Sequence, residues 1–234
     1  MEGTELLTSW KGPLNDAIKE TWVEFCLKKK LILTESDLKC HLYSELVKRI
    51  PTPPYSVHSE VTHYFNELKE NNLPEKKYRF RDMTLLSPSK IILNEELWQK
   101  NDKTLNKGFK HRGEAIFIEL KFDRQNTADV DPMDIENLIS YNGDPNYPKL
   151  FYIIWGSLNN DIDKLDKLML KNLQKLINEG QNKSIFPNVY GYIFNNECYK
   201  GYNFNLNSSK NIWEIKMYDT LTIKDFIEKY RSEK

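Results

Sequence analysis

The sequence predicts a single α/β domain with a mixed β-sheet flanked by helices. Its 234 residues are enough for one sizeable core and few for two. Segments with helical periodicity interleave with strand-like segments through most of the chain. No internal repeat, low-complexity tract or flexible linker divides it. We therefore expect one continuous domain.

Two helices are expected before the first strand. The first covers residues 13–30, where Leu14, Ile18 and Trp22 recur at helical spacing. The second begins at Thr34, a good N-cap residue, with Asp37 three residues further on. Its expected apolar stripe comprises Leu38, Leu42, Leu46 and Val47. The prolines from position 51 onward end it.

From residue 55 the pattern changes to strands. The expected strands are 55–65, 78–86, 115–123, 150–155, 188–194 and 212–218. Further helices are expected at 134–141, 161–178 and 220–231, and residues 90–113 are expected to be a long basic connection. The domain then divides into an N-terminal helical extension (1–33), a core (34–155) and a C-terminal completion (156–234).

Composition excludes several classes of function. Lys plus Arg and Asp plus Glu are 34 each, so no global charge attracts nucleic acid, although a local basic strip suffices. Cys26, Cys40 and Cys198 are widely spaced and form no zinc knuckle. Phosphate-binding, dinucleotide-binding and nucleophile-elbow glycine motifs are absent from the sequence. Without a signal core or a membrane-length apolar run, we expect a cytoplasmic protein and no membrane partner.

Two acids and a lysine stand out because they lie inside expected strands. Glu119 and Lys121 share one face of strand 115–123, whose other face, Ile116, Ile118, Leu120 and Phe122, is expected to be buried. Asp82 interrupts the hydrophobic and basic strand 78–86. Charges placed in this way are costly unless they are paired or bind a metal.

An antiparallel pairing of these two strands can bring Asp82 and Glu119 together at one end of the sheet. Two carboxylates, with the backbone carbonyl of Leu120, make an oxygen-rich site suited to Mg²⁺, with Mn²⁺ as an alternative. Lys121 is then placed to orient or deprotonate a water, or to stabilise charge on a phosphate. The structural alternative is a surface hairpin with an ion pair between its strands.

With Asp82 as first acid and Glu119-Leu120-Lys121 as an E-x-K element, the chain resembles the PD-(D/E)XK, or restriction-endonuclease-like, nuclease superfamily. The order of elements from 34 to 155 resembles that family's α-β-β-β-α-β core. Arg81 stands where the family motif has proline. The resemblance implies a metal-dependent endonuclease with Asp82, Glu119 and Lys121 as catalytic residues. It also implies a further acid on the first core helix, either Glu35, which we prefer, or Glu45, and allows one at Glu60.

The implied partner is nucleic acid, with DNA favoured over RNA, and the implied role is restriction or other defence against foreign DNA. Basic residues that could contact phosphates are Lys103, Lys107, Lys110, Arg112 and Arg124. Residues 100–112 are then a flexible arm, or else an ordinary solvated loop.

Two other functions stay open. The chain can be a catalytically silent nucleic-acid-binding or protein-interaction module of the same fold, or an RNA-cleaving toxin. A homodimer is a further alternative, because cutting both strands of a duplex commonly needs two active sites. The aromatic residues of the C-terminal third form either a surface for a partner protein or part of the core: Tyr190, Tyr192, Phe194, Tyr199, Tyr202, Phe204 and Trp213.

Overall fold

The architecture comes from a computed structural model. It describes residues 3–27, 32–50, 56–64, 78–86, 91–92, 108–111, 113–123, 149–158, 188–207 and 212–232, with isolated positions between 161 and 174. In these parts of the chain, no helix is long and apolar enough to cross a membrane.

The described elements are helices α1 (Gly3–Leu27), α2 (Glu35–Arg49) and α3 (Ile223–Ser232), and nine strands. The strands are β1 (Ser56–Tyr64), β2 (Tyr78–Leu86), β3 (Ile91–Ile92), β4 (Gly108–His111), β5 (Ala115–Asp123), β6 (Lys149–Ser157), β7 (Val189–Phe194), β8 (Cys198–Asn207) and β9 (Ile212–Thr222). Helical residues also occur between 163 and 174, as expected, and the expected helix 134–141 lies outside the described residues.

The strands form one mixed sheet in the order β3-β4-β1-β2-β5-β6-β7-β8-β9. β1, β2 and β5 pair antiparallel, whereas β5, β6 and β7 run parallel. β8 and β9 then complete the sheet by antiparallel pairing. The fold is therefore a single α/β domain with a mixed sheet, as the sequence predicts.

Helices α1 and α2 cover one face of this sheet. Their buried stripes, which include Trp22 and Leu42, form one cluster with Ile118 of β5, Ile154 of β6 and Tyr192 of β7. At the start of α2, the Asp37 amide donates to Thr34 Oγ1 (2.9 Å), and Asp37 Oδ2 accepts from the Leu33 amide (3.0 Å). The predicted cap at Thr34 is thus confirmed.

Several expectations about burial need correction. Val47 is exposed, whereas Glu45, two residues earlier on the same helix, is buried with Lys48 and Arg49 as its partners. Both faces of β5 are closed in its first half, because Ala115 and Phe117 are as buried as Ile116 and Ile118. Neighbouring parallel strands commonly produce such two-sided burial.

The expected start of the first helix was also wrong. α1 begins at Gly3 and runs through Pro13. An internal proline removes one backbone hydrogen bond at a cost of about 3 kcal/mol. Trp10 and Leu14 are buried on either side of it, so packing against the sheet outweighs that cost.

Three strands were missed by the sequence analysis. β3 and β4 lie within residues 90–113, which were expected to be a connection, and β4 pairs in parallel with β1. β8 contains Gly201 and three asparagines, residues that are depleted in strands. It forms because Tyr199 and Tyr202 are buried and because Asn195 Oδ1 accepts from the amides of Glu197 and Cys198 (2.9 Å each) in the preceding turn.

The aromatic residues of the C-terminal third belong to the core where the structure describes them. Tyr190, Tyr192, Phe194, Tyr199 and Tyr202 are all buried. The rings of Tyr152 and Tyr192 stack at 5.9 Å between centroids, and Trp22 contacts Tyr199 at 5.9 Å. The side chains of Phe204 and Trp213 lie outside the described residues.

A substitution at Gly156 in β6 tests how tightly this core is packed. A Cβ atom there would lie 2.9 Å from two ring atoms of Phe194 and 3.0 Å from Phe122. We expect Gly156→Ala to lower the free energy of unfolding by about 1–3 kcal/mol in urea denaturation. Adding Phe194→Leu should restore part of this loss, since the two changes share one contact. Strict additivity of the two losses would contradict the steric explanation.

The three free cysteines should differ in reactivity. Cys40 is exposed, Cys198 is buried, and burial raises the pKa of the Cys26 thiol to about 12. The thiolate is the reactive form. In a titration of the native protein with a chromogenic disulfide, Cys40 should therefore react first, and Cys26 and Cys198 only on unfolding. If a Cys40→Ser variant still showed a rapidly reacting thiol in the native state, the expected order of reactivity would be wrong.

Candidate functional site

The two strands that carry the candidate residues pair as expected. β2 and β5 are antiparallel, with Met83 opposite Ile118 and Leu86 opposite Ala115. Asp82 and Glu119 lie one step beyond the Met83–Ile118 pair in the same register. The pairing of the two strands therefore brings the backbones of both acids to one end of the β2–β5 ladder.

The Asp82 carboxylate takes the place of a strand–strand hydrogen bond at this end. Asp82 Oδ2 accepts from the backbone amide of Leu120 at 2.8 Å. Because the amides of a strand point along the plane of the sheet, the carboxylate lies between β2 and β5.

The carbonyl of Leu120 is expected to point into the same gap. In a β-strand the N–H and C=O of one residue point to the same neighbouring strand. Since the Leu120 amide is directed at Asp82, its carbonyl oxygen is directed toward β2. The role of this carbonyl as a metal ligand stays a prediction.

Glu119 and Lys121 form an ion pair on β5. Lys121 Nζ lies 3.1 Å from Glu119 Oε1, and both side chains are largely buried. They alternate with Ile118 and Leu120, which pack in the α1–α2 core, so the pair belongs to the opposite face of the strand.

A second lysine, which the sequence analysis missed, reaches Asp82 from α2. Lys39 Nζ lies 3.3 Å from Asp82 Oδ1, and the exposed fractions of the two side chains are 14% and 18%. Lys39 precedes Leu42 and Leu46 by three and seven residues, which puts it on their buried stripe. A lysine at that spacing was the signal that could have identified it.

The acids proposed for the first core helix are placed differently. Glu35 is the first residue of α2, one turn before Lys39, and is half-buried. Glu45 forms ion pairs with Lys48 and Arg49 of its own helix. Burial alone would raise the pKa of Glu45, but hydrogen bonds from these two side chains outweigh it, and the pKa lies below its ordinary value. In the structure, the Glu45 carboxylate is thus paired within α2.

The other candidate residues cannot be placed. The side chains of Glu60 on β1 and Lys110 on β4 lie outside the described residues. The same holds for all atoms of Lys103, Lys107, Arg112 and Arg124.

The candidate residues on β2 and β5 are of the kind that binds a hard divalent cation. Asp82, Glu119 and the Leu120 carbonyl are oxygen donors, and Mg²⁺ commonly binds one or two carboxylates and keeps several waters. In the described part of the chain, no group of three or more His, Cys, Asp or Glu side chains is arranged to hold a metal. Glu35 therefore does not join Asp82 and Glu119 in a three-carboxylate set.

Comparison with protein-family models, with curated proteins and with solved structures gives no match in any of the three. Arguments about function therefore rest on the residues of this chain.

The bond between Asp82 and Leu120 can be tested by its effect on stability. Asp82→Ala leaves the fully buried Leu120 amide without this acceptor, and we expect a loss of about 1–3 kcal/mol in the free energy of unfolding. Asp82→Asn keeps an acceptor oxygen and should cost less. Equal losses in the two variants, measured by chemical denaturation, would mean that the bond to Leu120 contributes little.

Proposed function

We propose that this chain is a metal-dependent nuclease with a restriction-endonuclease-like fold, which hydrolyses phosphodiester bonds of DNA. The observation that carries the proposal is the position of the Asp82 carboxylate, in the gap between β2 and β5, directly beside Glu119-Leu120-Lys121. Acidic and basic groups are rarely placed in the middle of a sheet without a chemical or pairing role.

The order of elements supports the same proposal. Helix α2 is followed by the antiparallel strands β1, β2 and β5, which are neighbours in the sheet, and then by β6, parallel to β5. Parallel neighbours require a crossover connection, usually a helix. The sequence predicts such a helix at 134–141, between β5 and β6. The described elements thus follow the expected α-β-β-β-α-β core apart from its second helix, which stays a prediction.

In the proposed site, Asp82, Glu119 and the Leu120 carbonyl hold Mg²⁺ or Mn²⁺. The bound cation supplies polarisation of the scissile phosphate and lowers the pKa of a nearby water. Asp82 is held in place for this role by the Leu120 amide, so the carboxylate is positioned before any ligand arrives.

Lys121 is proposed to act on the water or on the phosphate. Its ammonium is held by Glu119 at 3.1 Å, on the same face of β5. From there it can orient the attacking water by hydrogen bonding, or stabilise negative charge that develops on the phosphate.

The choice of DNA and the role in restriction or defence rest on the resemblance alone. A cytoplasmic location is likewise part of the proposal. It is supported by three free cysteines, which are typical of a reducing compartment.

A second function is favoured by one specific observation. Each acid of the site already has a lysine partner, Lys39 for Asp82 and Lys121 for Glu119. Such a neutral network can also serve structure alone. The alternative is therefore a catalytically silent nucleic-acid-binding or protein-interaction module of the same fold.

Cleavage of supercoiled plasmid separates the two functions. We expect wild type to nick or linearise plasmid with Mg²⁺ and not with EDTA. Lys121→Ala should lower the rate by about 10²-fold or more, because it removes a group that acts on the reacting atoms. Lys224→Ala is the matched control, since Lys224 is exposed on α3, far along the chain from the site.

Each outcome of the cleavage assay supports a different function. Equal cleavage by wild type and Lys121→Ala would contradict the assigned site. Cleavage of single-stranded RNA but not of plasmid, lost in Lys121→Ala, would keep the chemistry and change the substrate to RNA. Failure of the wild type to cleave either nucleic acid, while it still binds DNA, would favour the silent module.

A further inference from the structure

We infer that Lys39 controls loading of the site with metal: its ammonium neutralises Asp82 and opposes a divalent cation until nucleic acid draws the ammonium away. The inference rests on the proposed function and goes beyond it by making metal binding depend on the substrate. Lys39 is a positioning residue in this scheme, because it acts through Asp82.

The geometry puts Lys39 where a cation would bind. Its Nζ lies 3.3 Å from Asp82 Oδ1, while Asp82 Oδ2 is bonded to the Leu120 amide. Of the two carboxylate oxygens, Oδ1 is the one that a metal ion can bind without competing with the Leu120 amide. A cation approaching Oδ1 meets the ammonium of Lys39 at close range.

The backbone of Lys39 is held in place by its neighbours on α2, whereas its side chain is long and has several rotatable bonds. Leu38, Leu42 and Leu46 are fully buried and hold α2 against the sheet. The ammonium sits at the end of a flexible four-carbon chain, which can redirect it by several ångströms without moving the helix. The contact with Asp82 is thus reversible in a way that the bond from a backbone amide is not.

The charges couple the binding of metal to the binding of substrate. The charges of Asp82 and Lys39 sum to zero, so a divalent cation that approaches Asp82 is repelled by the ammonium of Lys39. A nucleic-acid phosphate offers Lys39 another anionic partner and releases Asp82. By linkage, a substrate that favours metal binding is itself bound more tightly when metal is present.

The test measures Mn²⁺ affinity without nucleic acid, from the electron paramagnetic resonance signal of free Mn²⁺. Removing the ammonium in Lys39→Met should tighten Mn²⁺ binding about tenfold, and Lys39→Gln should behave in the same way. Lys39→Arg keeps the charge and should resemble wild type. The matched control is Lys19→Met, which breaks a 2.8 Å ion pair with Asp219 elsewhere in the fold.

A second titration tests the coupling. Uncleavable phosphorothioate DNA should tighten Mn²⁺ binding by wild type and have little effect on Lys39→Met. Circular dichroism of each variant checks that the protein is folded before its Mn²⁺ affinity is compared with that of wild type. If either Lys39→Met or Lys39→Gln fails to fold, the other neutral variant is used for the test.

The outcomes are distinct. Unchanged or weaker Mn²⁺ binding by both neutral variants overturns the inference and leaves the proposed nuclease intact. Tightening in Lys39→Arg equal to that in Lys39→Met also overturns it, because charge is then not the cause. Absence of Mn²⁺ binding in every variant, with or without DNA, overturns the metal site and the proposed function with it.

Discussion

Two-sided burial of β5 is the constraint on which the rest of the structure depends. The strand lies between β2 and β6, its even-numbered residues pack under α1 and α2, and Ala115 and Phe117 are closed on the other face. A charge can lie in such a strand only beside a compensating group. β5 is accordingly apolar where it pairs with β2 and carries Glu119 and Lys121 only beyond those pairs.

The core is completed by contacts between the N-terminal helix α1 and the C-terminal strands β7, β8 and β9. Trp22 Nε1 of α1 donates to the Asn195 carbonyl in the β7–β8 turn (2.9 Å), and Tyr192 donates its hydroxyl proton to Asn15 Oδ1 (2.6 Å). Lys19 of the same helix pairs with Asp219 of β9. Helix α1 therefore ties β7, β8 and β9 to the half of the sheet that carries the candidate site, so changes far from Asp82 can alter its setting.

The elements with a strong local sequence pattern were predicted correctly, and those with a weak pattern were not. β2 and β5 have the predicted bounds, because hydrophobic residues recur through both segments and Ser87-Pro88 breaks the chain after β2. β8 and the N-terminal half of α1 contain Gly, Asn or Pro, and form because tertiary packing outweighs local propensity. The register that aligns Asp82 with Glu119 was deducible once an antiparallel pair was assumed. Lys39 was overlooked despite its spacing, since a lysine within an apolar stripe is ordinarily expected to extend to solvent.

The lysine on α2 changes how the site must be understood. An acid at this place, which the sequence analysis sought in Glu35, would add a metal ligand and leave the site strongly negative toward a phosphate. Lys39 instead balances Asp82, so that the two acids and two lysines together neither attract nor repel a nucleic acid strongly. The whole chain is also neutral and offers no long-range attraction. In the proposed nuclease, a divalent cation would add two positive charges to a balanced site and would strengthen its attraction for a phosphodiester. Metal binding and substrate binding would therefore favour each other.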